Sequence, residues 1–211
     1  MGNLVRFPIT NIEGDLVAQH RNPDEKLYAS LELNQVAFPK TGMVVSQTPL
    51  GPKFVPGDDN YGVCENGMWV VADKAAGIID APAAATSSPI GIVYTTEKEY
   101  DREHYGLQRF GRKIAGDYPR VGILGLGDTV TTNCLQYDDS EFATEAALWT
   151  ALEKDLSVAA NTLYVVAVAG SPVPKLTKTN PNGSGTYAKV VKYYTIPNGG
   201  KGVKYQIVHL A

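Results

Sequence analysis

Apolar and polar residues alternate over short stretches along much of this chain, and glycine, proline and asparagine cut those stretches apart. That texture predicts short strands joined by turns. At the start, Leu4-Val5-Arg6-Phe7 reads as a strand that Pro8 ends or confines to an edge, because proline has no N–H to give to a ladder. Asn22-Pro23-Asp24 is a turn. Residues 27–38 begin with Leu27-Tyr28-Ala29-Ser30-Leu31-Glu32-Leu33, whose odd positions are largely apolar. A half-buried strand is the first reading and a short helix the second; Pro39-Lys40-Thr41-Gly42 breaks either.

The middle is more legible. Residues 61–64 and 68–72 flank Glu65-Asn66-Gly67, and Asn-Gly between apolar runs signals a hairpin with a type I′ turn, since both residues tolerate positive φ. Residues 81–88 are a small-residue linker, and residues 100–116 form a charged excursion. Further strands are expected at residues 89–96, 120–126, 128–132 and 163–169. Ser171-Pro172-Val173-Pro174 reads as a proline-broken loop, and residues 180–185 as a second loop. Residues 188–196 and 203–210 form a closing hairpin across Pro197-Asn198-Gly199-Gly200-Lys201, which stitches the C-terminus into a sheet.

One helix stands out, at about residues 140–156. Asp138 offers an N-cap with Glu141 at the capping-box spacing, aspartate standing where serine or threonine is usual. Phe142, Ala146, Trp149, Leu152 and Leu156 then recur on one stripe. Acidic residues open the segment and Lys154 lies near its end, as the macrodipole favours. The expected fold is mainly β: a barrel or sandwich of many short strands with this one helix packed on it. Residues 1–40, polar and turn-rich, are either an extended N-terminal arm or ordinary outer strands, and residues 41–211 form a single β-rich domain.

Composition narrows the function classes. The 211 residues carry a net charge of −3, with no polybasic run and no stripe of aromatics interleaved with cations, which disfavours nucleic acid as a partner. Glycine (21) and proline (13) are plentiful and only 19% of residues are charged, which suits turns between short strands. The first residues lack the pattern of a signal peptide, and Gly2 lacks the Ser or Thr that a myristoylation motif wants at position 6, where Arg6 stands. No apolar stretch reaches the roughly 18 residues of a membrane span. Synthesis in the cytoplasm and no membrane association are the expectation.

Candidate chemistry is sparse. Cys64 and Cys134 form no C-x-x-C pair and read as small buried thiols. His20, His104 and His209 each stand alone, so no zinc grouping is evident. Gly122-Ile123-Leu124-Gly125-Leu126-Gly127 has the order G-x-x-G-x-G and no helix after it, which fits a close-packed strand better than a dinucleotide loop. Asp58-Asp59-Asn60 and Asp138-Asp139 lack the EF-hand pattern; turn chemistry accounts for the first and helix capping for the second, while calcium at Asp58 and Asp59 stays open. No G-x-S-x-G elbow exists. Trp69 could line a sugar-binding face, whereas Trp149 belongs to its helix core. Tyr193, Tyr194 and Tyr205 are expected to divide between inward and outward faces. No catalytic, cofactor-binding or metal residue is therefore nominated, no cofactor is expected, and the chain reads as a non-enzyme.

Several segments resemble structural proteins of tailed-phage heads, notably small proteins that decorate or cement the capsid. They are Gly67-Met68-Trp69-Val70-Val71-Ala72-Asp73, Pro89-Ile90-Gly91-Ile92-Val93-Tyr94, and Val121-Gly122-Ile123-Leu124 with Gly127-Asp128-Thr129-Val130-Thr131-Thr132-Asn133. The closing stretch from Val190 to Gly199 completes the set. The resemblance is one of style and spans about residues 60–135 and 185–210. It implies a virion component made in the host cytoplasm, with the major capsid protein as partner. It also implies a homo-oligomer, a trimer among the forms, joined through an arm and sheet edges. The alternative is a carbohydrate- or small-ligand-binding β module, which exposed aromatics around Trp69 would favour. A third reading is an enzyme with dispersed residues, which a polar pocket joining a histidine to carboxylates would favour.

Overall fold

Two long strands at the C-terminus, where apolar and polar residues alternate, organise the molecule. A computed structural model describes residues 2–7, 44–45, 47–57, 60–85, 87, 89–94, 114–195 and 201–211. The closing hairpin pairs β11 (Tyr187–Thr195) with β12 (Lys201–His209), antiparallel and with two register shifts. Around it lies a seven-stranded sheet in the order β1-β8-β10-β9-β11-β12-β7. Its other members are β1 (Leu4–Arg6), β7 (Thr129–Thr132), β8 (Gln136–Asp138), β9 (Tyr164–Val168) and β10 (Ser171–Thr177). A five-stranded sheet runs β2-β6-β5-β3-β4. It is made of β2 (Val44–Val45), β3 (Trp69–Asp73), β4 (Ile78–Asp80), β5 (Gly91–Val93) and β6 (Val121–Ile123). The single α-helix, α1 (Glu145–Leu152), and a 3₁₀ turn at Ala159–Asn161 complete the described elements. The fold is mainly β, as expected, in two sheets; neither closes into a barrel among the described residues.

Two cores follow from strand alternation. The larger takes Val165 and Ala167 of β9, Ala188 and Val190 of β11, Val203, Tyr205 and Ile207 of β12, and Leu148, Trp149 and Leu152 of α1. Along β3 the residues divide cleanly: Trp69 and Val71 pack with this larger core, Val70 and Ala72 with the smaller one. The smaller core adds Leu50, Phe54, Cys64, Met68 and Cys134. The five-stranded sheet is thus covered on both faces, which explains why its strands read as apolar runs.

Four expectations change in detail. The helix is shorter than 140–156 and its cap lies elsewhere. Thr144, extended at φ −143°, accepts from the Ala147 N–H through its side chain. Asp138 instead ends β8 and spends its carboxylate on the Ser140 N–H and hydroxyl. Glu141 accepts from the Thr177 hydroxyl and the Lys178 N–H, so neither acid is free to cap. Residues 136–138, to which the sequence reading assigns no element of their own, are the strand β8.

The Asn66-Gly67 turn is also different. Only Gly67 takes positive φ (94°), so the turn is not type I′. The partners of β3 are β4 and β5, not residues 61–64. The real hairpin turns at residues 74–77, where the Asp73 carboxylate accepts from the Ala75 and Ala76 N–H groups and Gly77 supplies a φ of 67°.

Prolines 172 and 174 stand inside a strand and not in a loop. The β10–β9 register shifts between Ser171 and Lys175, so both rings sit in the irregular stretch where no ladder N–H is required. Gln136 secures that stretch, donating from Nε2 to the Val173 carbonyl at 2.6 Å and to the Ser171 hydroxyl at 3.1 Å. Residues 180–185 remain a loop, as expected. The strand expected at 27–38, the turn at Asn22-Pro23-Asp24 and residues 8–40 of the candidate arm lie outside the described residues, as does nearly all of the excursion at 100–116.

Candidate functional site

Sequence order alone brings residues 2–7 nowhere near residue 65 or 139; the fold joins all three. Strand β1 adds antiparallel to β8 at one edge of the seven-stranded sheet. The Asn3 backbone N–H and side-chain amide both donate to the Asp139 carboxylate, and the Asp139 N–H returns a bond to the Asn3 carbonyl. Gly2 fits because any Cβ there would collide with the side chains of Asp138 and Asp139. Two residues on, the Arg6 guanidinium pairs with Glu65 at 3.0 Å. Phe7 closes the segment, buried edge-on against Trp149 (5.7 Å) and Tyr137 (6.1 Å). Residues 2–7 are therefore tied to the seven-stranded sheet, to α1 and, through Glu65, to the loop before β3, while Leu4 and Val5 remain 44% and 37% exposed along that edge.

Cys134 lies beneath this junction, fully buried, and burial pushes its thiol up to about 12 despite the opposing pull of Arg6. A thiol held that firmly protonated is a poor nucleophile. Cys64 is likewise buried, and both cysteines are unbridged. Above Cys134, Gly67 permits close approach: a Cβ at residue 67 would stand 2.6 Å from that of Cys134. The pair behaves as the sequence suggests, as small core residues.

Both tryptophans are committed to packing, whereas Tyr118 stands 58% exposed. Trp69 is wholly buried, donates from Nε1 to the Tyr205 hydroxyl at 2.9 Å, and meets that ring edge-on. It offers no face to a sugar. Trp149 is nearly buried, donates to Glu145 at 2.8 Å, and carries Lys201 4.9 Å above its ring. Tyr193 packs beside it at 6.0 Å, half-buried, and Tyr194 is half-buried as well. Tyr61, in the smaller core's rim, is pushed up to about 12 by burial and by its hydrogen bond to Asp80.

His209 stacks on Tyr187 (5.1 Å, 11° between planes), with Nδ1 2.8 Å from the Gly185 carbonyl, and so pins the 180–185 loop to β12. His20, His104, Asp58 and Asp59 lie outside the described residues, so the calcium question at 58–59 is untouched. Gly122 is in β6, a strand rather than a phosphate loop, and in the neighbouring β5 a Cβ at Gly91 would collide with the Val121 side chain. Among the described residues no three His, Cys, Asp or Glu side chains converge as a metal site. No described helix is long and apolar enough to cross a membrane.

One group went unremarked in the sequence. Asp128 is completely buried in the turn from β6 to β7. Its Oδ2 accepts from the Gly125 N–H at 2.6 Å, while Oδ1 has no partner. Burial raises its pKa, and the Gly125 bond opposes only part of that. Its backbone carbonyl holds the Ile207 N–H of β12. Nothing in the sequence around Asp128 signals burial, because what covers the carboxylate comes from distant residues.

A shallow groove of about 340 Å³ runs between the end of α1 and β11, with Leu152, Leu156 and Tyr193 in its floor and Glu153, Asp155 and Lys192 on its rims. It joins no histidine to carboxylates.

No family model, curated protein or solved structure matches this chain.

Proposed function

We propose that this chain is a non-enzymatic structural protein of a tailed-phage virion. In this reading it decorates and stabilises the capsid through contacts with the major capsid protein. The observation that carries it is the edge strand β1, whose residues Leu4 and Val5 stay exposed although residues on either side are tied down by Asp139, Glu65 and the core. A short, anchored strand whose outer edge has no strand partner among the described residues is a ready element for sheet extension by another chain. The inward commitment of the reactive groups, with both cysteines and Trp69 in cores, fits a protein whose work is contact. It also leaves Trp69 unavailable as the aromatic face of a sugar-binding module.

Quantitative peptide counting by mass spectrometry on purified particles tests the proposal. A copy number on the order of one per capsid subunit supports decoration. A few copies per particle would move the protein to the tail or portal region and overturn decoration. Absence from particles would overturn the virion assignment altogether.

A further inference from the structure

Asn-Gly occurs three times in the chain, at residues 66–67, 182–183 and 198–199. An asparagine in this setting can modify itself, because glycine has no side chain to keep its own backbone nitrogen away from the asparagine Cγ. The reaction needs that nitrogen free of hydrogen bonds, a side-chain amide free to turn, and a base to take the proton.

The fold treats the two described copies differently. At Asn66-Gly67 the Gly67 N–H donates to the Val93 carbonyl at 2.8 Å, and the glycine is buried against Thr132 and Cys134. That nitrogen is engaged, and a ring closing there would press into both side chains. At Asn182-Gly183 both residues are exposed. Asn182 is the one non-glycine with positive φ (51°) among the described residues, and Gly183 follows at 79°. With the Ser184 N–H donating to the Pro181 carbonyl at 3.0 Å, residues 181–184 form a type I′ turn. The Asn182 N–H donates to Asn180 Oδ1 at 2.9 Å. Neither the Gly183 N–H nor the Asn182 side-chain amide has a partner among the described residues. Left-handed backbone is disfavoured for asparagine, so the turn gives up little by leaving it for a ring.

His209 stands where a base is needed. Its Nδ1 lies 2.8 Å from the Gly185 carbonyl, which can only accept, so Nδ1 carries the hydrogen and the neutral ring keeps its lone pair on Nε2. A Cβ on Gly183 would stand 3.8 Å from that Nε2 and within 4 Å of nothing else. Stacking on Tyr187 at 5.1 Å holds the ring in this orientation.

We propose that Asn182-Gly183 is a self-modification site with His209 as its base. The Gly183 nitrogen bonds to Asn182 Cγ as its proton passes to Nε2, directly or through one water. The Cγ–Nδ2 bond then breaks, and the amide nitrogen takes that proton and leaves as ammonia. Water opens the resulting succinimide at either carbonyl, giving aspartate or isoaspartate. The sum is one amide and one water converted to one acid and one ammonia. Both products add a negative charge, and isoaspartate also adds a backbone carbon to the turn, which loosens the loop that His209 pins to β12. None of this depends on the virion reading.

Peptide mapping of the folded chain, incubated in neutral buffer and sampled over days, tests the proposal. Trypsin separates the three dipeptides into residues 54–74, 179–189 and 193–201. Fragmentation that distinguishes isoaspartate from aspartate then locates each conversion. Asn182 should convert about tenfold or more faster than in a synthetic peptide of residues 179–189, while Asn66 stays intact. His209→Gln should bring Asn182 down to the peptide's rate. Free imidazole should restore part of the lost rate in His209→Ala and leave wild type unchanged, which a merely loosened loop would not reproduce. Conversion at Asn182 no faster than in the peptide overturns the proposal, and so does an unchanged rate in His209→Gln. Conversion of Asn66 as fast as Asn182 overturns it as well, because the two turns would then not differ.

Discussion

The two cores are built by different means. The larger is assembled from long strands whose alternation sets the inward face, and a helix and aromatic rings fill it. The smaller uses strands of two to five residues, Val173 of β10, the loop residues Leu50, Phe54 and Met68, and two cysteines. Long strands spread their specification over many alternating positions. Short strands concentrate it in a few close approaches, such as Gly91 under Val121 and Gly67 over Cys134. The smaller core should therefore be brittle at glycines and the larger at big side chains.

Trp69 joins the two regions, so its loss should be the most damaging change. Trp69→Ala is expected to cost about 3–5 kcal/mol, from the cavity and the orphaned Tyr205 hydroxyl, measured by urea unfolding. A cost near zero would mean that the sheets do not share this contact. Gly91→Ala strikes the smaller core alone. With a Cβ driven into the Val121 side chain it should cost about 1–3 kcal/mol. Val121→Ala in the same chain should recover part of that loss relative to the two single changes. Unchanged stability of the single variant would refute the close approach.

Thr144→Ala touches only the helix over the larger core, and its cap is worth about 1 kcal/mol. Asp138→Ala tests the rival cap suggested by the sequence. If it reduces helical content by circular dichroism more than Thr144→Ala does, the cap is misassigned. The smallest effect concerns pH. The raised pKa of Asp128 means that the neutral carboxyl is favoured in the fold. Its contribution is fully present below the ordinary aspartate value of 3.8 and declines as pH rises through the folded value. Wild type should lose stability relative to Asp128→Asn as pH is raised from about 4 towards neutrality. The opposite slope would mean that the carboxylate is stabilised as a charge.

Much of this architecture was readable where periodicity ran long enough to repeat. The closing hairpin and β7 fall within two residues of their expected places because alternating residues in each indicate the same face, and β9 does so as an unbroken apolar run. Trp149 was readable as helix core for the same reason. The misreadings occurred where one residue could serve two purposes. Asp138 and Glu141 have the spacing of a cap, but both are taken by closer donors, Ser140 and the Thr177–Lys178 segment. Pro172 and Pro174 forbid an ordinary ladder, yet a bulge and the amide of Gln136, thirty-five residues upstream of Ser171, make a strand workable.

What the sequence by itself determined was the local grammar: short strands, turns at glycine and asparagine, and one helix with an apolar stripe. These depend on neighbours within a few positions, and their energies are settled by backbone geometry and side-chain period. Only the tertiary structure decided that residues 2–7 bind Asp139 and Glu65, that Asp128 is buried, and that the lysines of β10, β11 and β12 share one sheet. Those outcomes depend on which strands become neighbours, a choice made by the burial of whole faces, which no local pattern contains.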